Sequence, residues 1–136
     1  MTEAAVEPRG ELSLRTVAMP ADTNPAGDIF GGWIMSLMDL AAGMTAASRA
    51  RGRTATAAVS NLSFIQPVKV GDVVCVYSEV TRTGRTSTTL GVETWVLRGG
   101  QGARQRVTAA EFVMVAVDAS GKPRVLPESE PRPEPG

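Results

Sequence analysis

The chain has 136 residues, with 14 basic and 14 acidic side chains, a formal net charge of +0 and 43% apolar residues. This length fits one compact domain with its own core, and the balanced charge argues against a nucleic-acid binder. With one cysteine and no histidine, the sequence excludes an intrachain disulfide, Ser-His and Cys-His nucleophilic pairs and most zinc catalytic sites. Acid–base chemistry must therefore fall to Asp, Glu, Tyr, Lys or bound water.

The ends of the chain differ from its centre in composition. Residues 1–10 mix proline, glycine and charges without periodicity and are expected to be loose, and the Pro/Glu-rich tail 127–136 is expected to be disordered. The domain is expected over residues 11–126. No basic segment followed by an apolar run is visible at the start, so no signal peptide is predicted. The lone cysteine fits a reducing compartment, and we expect a cytoplasmic protein without membrane or nucleic-acid partners.

Apolar and polar residues alternate over residues 11–19, which predicts a first strand. A loop with Asn-Pro and Gly-Asp turn signals follows, and then a long apolar segment. Four more strands, joined by mostly short turns, are predicted over residues 54–65, 73–82, 86–97 and 104–118. This order indicates an α+β fold, a five-stranded antiparallel sheet wrapped around one long central helix. The edges of such a sheet are exposed, so we expect an oligomer that pairs sheets edge to edge.

The segment 24–51 reads NPAGDIFGGWIMSLMDLAAGMTAASRAR. Roughly eighteen of its residues contain no proline and few β-branched side chains, which predicts a helix that begins at Gly31 or Gly32 and ends within 48–51. Gly52 is expected to supply the C-terminal turn. Apolar residues on nearly every face predict a helix largely surrounded by protein. Gly, Ser, Thr and Asp interrupt the segment too often for a membrane span.

A single carboxylate, Asp39, lies inside this helix. Because burial of an unpaired charge costs several kcal/mol, we expect Asp39 to be hydrogen-bonded, protonated or facing a cleft. Helical spacing puts it on one face with Gly32, Ser36 and Gly43. This face carries backbone donors at its start and an acid about 10 Å further along. The arrangement suits attack on a carbonyl, and a hydrogen bond to a neighbouring loop is the alternative role.

Three stretches, AMPADTNPAGDIFGGWIMSLMD, FIQPVKVGDVV and FVMVAVDASGKPR, resemble the hotdog-fold acyl-CoA thioesterases, specifically the YciA-like group. The resemblance extends over residues 12–126 with the same order and spacing. It implies a hotdog fold, a double-hotdog homodimer with active sites at the subunit interface, and a hexamer built as a trimer of dimers. It also implies hydrolysis of acyl-CoA to free acid and CoA, with no metal or other cofactor.

The same resemblance assigns roles to four residues. The helix acid of the family falls on Asp39, which would either deprotonate a water or attack the thioester to form a mixed anhydride. The family position before the helix falls on Asp28, which would work beside the helix acid of the partner subunit. An Asx turn is the alternative role of Asp28. The paired glycines fall on Gly31 and Gly32, whose amides would polarise the thioester carbonyl at the positive end of the helix dipole.

Other residues are candidates for substrate contact. The phosphates of CoA require basic partners, and the loop candidates are Arg82, Arg85, Lys122 and Arg124. Ser60 and Asn61 are expected either to line the pocket or to be satisfied positions in the sheet. Asn24 fits a turn residue better than a catalytic one.

Two other functions compete with thioester hydrolysis. A hotdog hydratase or dehydratase usually employs a histidine, which this chain lacks. A non-catalytic acyl-CoA binding or sensing protein would be favoured by an additional regulatory domain, and the sequence indicates none. A thiol-release assay with a panel of acyl-CoA esters separates these possibilities.

Overall fold

The computed structural model describes residues 7–129. Its elements follow the predicted order: β1 (Glu11–Val17), α1 (Gly31–Ala50), β2 (Thr54–Phe64), β3 (Val73–Thr83), β4 (Ser87–Leu97) and β5 (Gln105–Ala116). The predicted boundaries of the strands lie within two residues of the observed ones. The predictions for the two termini fall largely on residues 1–6 and 130–136, outside the described residues. Among the described residues, no helix combines the length and apolarity that crossing a membrane requires.

The strands form one antiparallel sheet in the order β1-β3-β4-β5-β2. Strands β3 and β4 form a hairpin around residues 84–86, and β2 reaches its edge position by pairing with β5 rather than with β3. Helix α1 crosses one face of this sheet. The predicted α+β architecture, a five-stranded antiparallel sheet around one helix, is confirmed.

The core lies between α1 and the inward side chains of β3, β4 and β5. The helix contributes a stripe of mostly small buried residues, which are Ile34, Met38, Ala41, Ala42, Ala46 and Ala50. Small side chains let the helix backbone approach the sheet closely, and a β-carbon on Gly43 would lie 3.9 Å from Met114 Cε. The opposite side of the helix is exposed, with Leu40 at 57% and Met44 at 45%. The prediction of a helix largely surrounded by protein is therefore wrong for the single chain, because one sheet covers only one side.

The C-terminal end of α1 differs from its prediction. Arg51, not Gly52, adopts the left-handed conformation that ends the helix, with φ of 52°. Gly52 meets a different requirement, since a β-carbon there would lie 2.6 Å from Arg124 Nη2. Arg124 donates to the carbonyl oxygen of Ala50 at 3.0 Å and to that of Val117 at 3.1 Å. Its guanidinium therefore ties the last helical turn to the segment that follows β5.

Strand β2 is an exposed edge. Nine of its eleven residues are exposed and the other two are partly buried, so neither face is covered. Proteins often protect an edge strand from pairing with proline or with charged side chains. Strand β2 contains neither. A bulge between Ser60 and Ser63 interrupts its register with β5, and Asn61 lies there with φ of 53°.

Candidate active site

Asp39 lies on the side of α1 that faces β2. Its Oδ1 accepts a hydrogen bond from Thr56 Oγ1 at 2.5 Å, and the carboxylate is exposed. The expected hydrogen bond is present, but its donor is a strand residue rather than a loop. Sequence reasoning missed Thr56, because its proximity to the helix depends on the position of β2 in the sheet, which no local pattern reveals.

The first turn of α1 presents two backbone donors. Phe30 precedes the helix without a side-chain cap, and its carbonyl accepts from Trp33 N at 3.1 Å. Neither Gly31 N nor Gly32 N has an acceptor within the described part of the chain. Such amides carry the positive end of the helix dipole and bind anionic oxygens well. A β-carbon on Gly31 would lie 3.0 Å from the ring of Phe64, so this glycine also lets the end of β2 pack against the helix start.

Asp28 lies in the turn before the helix. Asn24 Oδ1 accepts from Ala26 N at 3.0 Å and from Asp28 N at 3.1 Å, so the Asx-type contacts of this turn belong to Asn24. The Asp28 carboxylate instead forms an ion pair with Lys69. The turn thus holds Asp28 close to Gly31 while its carboxylate contacts the loop between β2 and β3.

A buried carboxylate anchors that loop. Asp72 is 1% exposed and accepts from Lys69 N at 2.8 Å and from Arg98 Nη1 at 2.5 Å. The loop in turn accepts from the segment before the helix, through Ile29 N to the Val68 carbonyl at 3.0 Å. Because a buried charge is stable only when it is paired, Asp72 holds the loop to Arg98 after β4, and the Val68 carbonyl then ties the loop to the residues before α1.

A cavity of about 400 Å³ opens beside the first helical turn. It is lined by Gly31, by Gln66 and by the apolar side chains of Ile29, Ile34, Phe64, Ile65, Pro67 and Val68. A larger cleft of about 710 Å³ lies between the second half of α1 and strands β1 and β3. It contains the hydroxyl groups of Ser13, Thr45 and Ser78, and α1 separates it from Asp39. The smaller cavity is therefore the one associated with the predicted site.

Asp39 and Gly31 do not converge within one chain. They are eight residues apart on the helix, a rise of about 12 Å, whereas a reacting carbonyl must lie about 3 Å from both groups. Their strand partners, Thr56 and Phe64, are likewise eight residues apart along β2, about 26 Å. A single chain thus holds the acid and the amide donors at two separate places along its exposed edge.

The predicted phosphate ligands lie together at the far end of α1. Arg82 and Arg85 flank the β3–β4 hairpin, and Leu126 N bonds the Arg85 carbonyl at 2.9 Å, which brings the segment with Lys122 and Arg124 beside it. Three of the four basic side chains are exposed, and Arg124 is partly buried because it holds the helix end. Their binding of CoA stays a prediction, as does substrate contact by the exposed residues Ser60 and Asn61.

The loop that carries Lys122 is ordered by an aspartate. Asp118 Oδ1 accepts from Ser120 Oγ at 2.7 Å, from Ser120 N at 2.9 Å and from Lys122 N at 3.0 Å. The Ser120 hydroxyl bond, followed by the Lys122 backbone bond, lowers the pKa of Asp118 below its ordinary value of 3.8. These bonds fix the backbone of Lys122 while its side chain stays exposed.

Comparison with known proteins identifies the class. Residues 26–103 match the family model described as the thioesterase superfamily, and the chain belongs to that family. Solved relatives confirm the hotdog fold: the hexameric thioesterase y2039 from Yersinia pestis has a TM-score of 0.86 and 52% identity, over 90% of this chain and 100% of that one. HI0827, a hexameric broad specificity acyl-coenzyme A thioesterase, has a TM-score of 0.86 and 48% identity, over 90% of this chain and 85% of that one.

Curated relatives narrow the class further. The acyl-CoA thioester hydrolase YciA of Salmonella typhimurium is 49% identical over 130 residues, which cover 93% of this chain and 98% of the relative. YciA of Escherichia coli is 50% identical over 123 residues, 88% of this chain and 93% of the relative. Within the superfamily, the chain is therefore a member of the YciA group of acyl-CoA thioester hydrolases.

Proposed function

We propose that this protein hydrolyses acyl-CoA thioesters to free acid and CoA in a site shared by two subunits, with Asp39 from one and the first-turn amides of α1 from the other. The observation that carries the proposal is the placement of both groups along the uncovered edge strand β2. Thr56 holds Asp39 near one end of that strand, and Phe64 packs against Gly31 at the other.

A two-fold axis through β2 brings the two groups together. If two β2 strands pair antiparallel with their centre at residues 59–60, Thr56 of one protomer lies beside residues 62–64 of the partner subunit. Asp39 then faces the partner subunit's Gly31 across the interface. The same pairing satisfies the free backbone groups of β2, covers its exposed side chains and adds cover over the open side of α1.

The chemistry follows from these two groups. The amide of Gly31 stabilises the negative charge that develops on the carbonyl oxygen, a contribution that typically reaches about 3 kcal/mol for one donor. Asp39 either removes a proton from the water that attacks the carbonyl carbon, or attacks that carbon itself to form a mixed anhydride that water then hydrolyses. In both routes the carbon–sulfur bond breaks, CoA leaves as a thiolate that takes up a proton, and the acyl group is released as the free acid. Asp28 orients the water or the opposing carboxylate, and Thr56 fixes Asp39 for either route. No step requires a metal or another cofactor, so a chelator should leave activity unchanged.

The proposed assembly has a dimer as its unit and a hexamer, a trimer of dimers, as its complete form. The support is the unprotected β2 edge together with the hexameric state stated for the solved relatives y2039 and HI0827. The basic residues at the end of α1, which are Arg82, Arg85, Lys122 and Arg124, would hold the phosphates of CoA once its thioester lies at Asp39.

Replacement of Asp39 by Asn tests the function directly, because it keeps the size of the side chain but removes its charge. In a thiol-release assay with a panel of acyl-CoA esters, the wild-type protein should turn over and the variant should lose at least ~10³-fold in kcat. Glu11→Gln, at an exposed acid on the opposite edge strand β1, serves as the matched control and should keep wild-type activity.

The assembly state of the Asp39→Asn variant should equal that of the wild type by light scattering. A variant that retains turnover would end the assignment of Asp39. A wild-type protein that binds acyl-CoA without releasing thiol would instead be the binding or sensing protein considered from the sequence.

A further inference from the structure

The cavity beside the first helical turn has a composition that bears on the substrate. Gly31 lies on its wall, and Gln66 is the one polar side chain among the described residues that line it. Its volume of about 400 Å³ falls in the range of small-molecule sites. A carbonyl held by the Gly31 amide would have this apolar cavity next to it. The acyl chain is therefore the part of an acyl-CoA that fits there, since CoA itself is polar and anionic.

We propose that this cavity receives the acyl chain of the substrate and that Phe64 sets the chain length it accepts, an inference that rests on the proposed thioester hydrolysis. Phe64 is 50% exposed, and its ring lies within 3.0–3.6 Å of the position of a β-carbon on Gly31. The ring therefore forms a wall directly beside the carbonyl position. Ile34, which is 2% exposed, forms the floor on the core side, so truncation of Phe64 enlarges the cavity without opening the core.

The lining also defines the class of acyl group. An uncharged aliphatic chain that enters the cavity removes its apolar surface from water, and each buried methylene should strengthen binding about fourfold. A terminal carboxylate would lose its hydration there without gaining a charged partner. The enzyme should therefore prefer butyryl-CoA to succinyl-CoA by at least ~10-fold in kcat/KM, although the two acyl groups have the same number of carbons.

Two series of ligands of increasing chain length test the proposal. The S-alkyl-CoA thioethers lack the carbonyl and cannot be hydrolysed, so calorimetry with them measures the affinity of the pocket separately from catalysis. The acyl-CoA esters are assayed by turnover and give kcat/KM. For the wild type, affinity should rise about fourfold per methylene up to a break where the cavity is full. Phe64→Ala should move this break to chains at least about two carbons longer, and Phe64→Trp should move it to shorter ones.

Leu12→Ala is the matched control, an exposed apolar residue on β1 in the larger cleft, and it should leave the break unchanged. Thermal unfolding and light scattering of each variant establish that fold and assembly are intact. A break at the same chain length in wild type, Phe64→Ala and Phe64→Trp overturns the proposal and indicates that partner side chains fill the cavity. If the thioethers bind with the predicted pattern but no ester is cleaved, the proposed hydrolase function is overturned and the assignment of the cavity as an acyl-chain site is supported.

Discussion

Asp39 is exposed in the single chain, where its one hydrogen bond within the described residues comes from Thr56. The Thr56 hydroxyl therefore determines the orientation of this carboxylate. A carboxylate on a helix surface otherwise samples several rotamers, and a small misplacement of a catalytic group lowers the reaction rate steeply. Thr56 is itself restricted, because its β-branched side chain has few rotamers in a strand. The pair therefore fixes one carboxylate oxygen and leaves the second available for water or for the thioester.

Thr56→Val retains the shape of the side chain and removes the hydroxyl donor. We expect kcat to fall roughly 10-fold or more with little change in KM, because the lost hydrogen bond orients the acid and does not hold the substrate. Thr56→Ser should retain most of the activity, since it preserves the donor. Equal steady-state constants for the valine variant and the wild type would remove Thr56 from the site.

Strand β2 carries both the catalytic contacts and the exposed edge, and its irregularity has a local cause. Asn61 adopts the left-handed conformation at the bulge, which asparagine tolerates better than other side chains except glycine. The sequence predicted the extent of β2 to within one residue, because its apolar side chains and the Gln66-Pro67 pair that ends it are local signals. It could not predict the bulge, because bulges depend on register with β5.

The backbone at Asn61 predicts the effect of substitutions on stability. Asn61→Gly should leave the free energy of unfolding nearly unchanged, and Asn61→Val should lower it by about 1–2 kcal/mol because a β-branched residue is strained at this φ. Urea denaturation gives both values. Ala55→Val, a substitution in the regular part of β2, is the control and should cost less than ~0.5 kcal/mol. A valine at position 61 that costs no more than the control would show that the bulge is not strained.

The whole molecule explains why the sequence predicted the elements better than the site. Apolar content on nearly every face of α1 predicted a surrounded helix, but the sheet of one chain covers only the buried stripe from Ile34 to Ala50. The remaining exposed apolar residues, Leu40 and Met44, are accounted for only with a second copy. Asp39 and Gly31 were identified by residue type and resemblance, and their separation follows from helical spacing. Their contacts with Thr56 and Phe64 on the edge strand became visible only in three dimensions.

Complementation between two inactive variants tests the shared site most directly. Asp39→Asn removes the acid. Gly31→Pro removes the amide donor at a first helical position whose backbone accepts proline, and its ring also displaces Phe64, so this variant loses the donor half of the site. Each variant alone should be inactive. Coexpressed in equal amounts, they should recover about a quarter of wild-type activity, because half of randomly formed dimers are mixed and each mixed dimer has one intact site. Activity that stays at the level of the single variants in the mixed dimers would contradict the account, since acid and amide would then act within one chain.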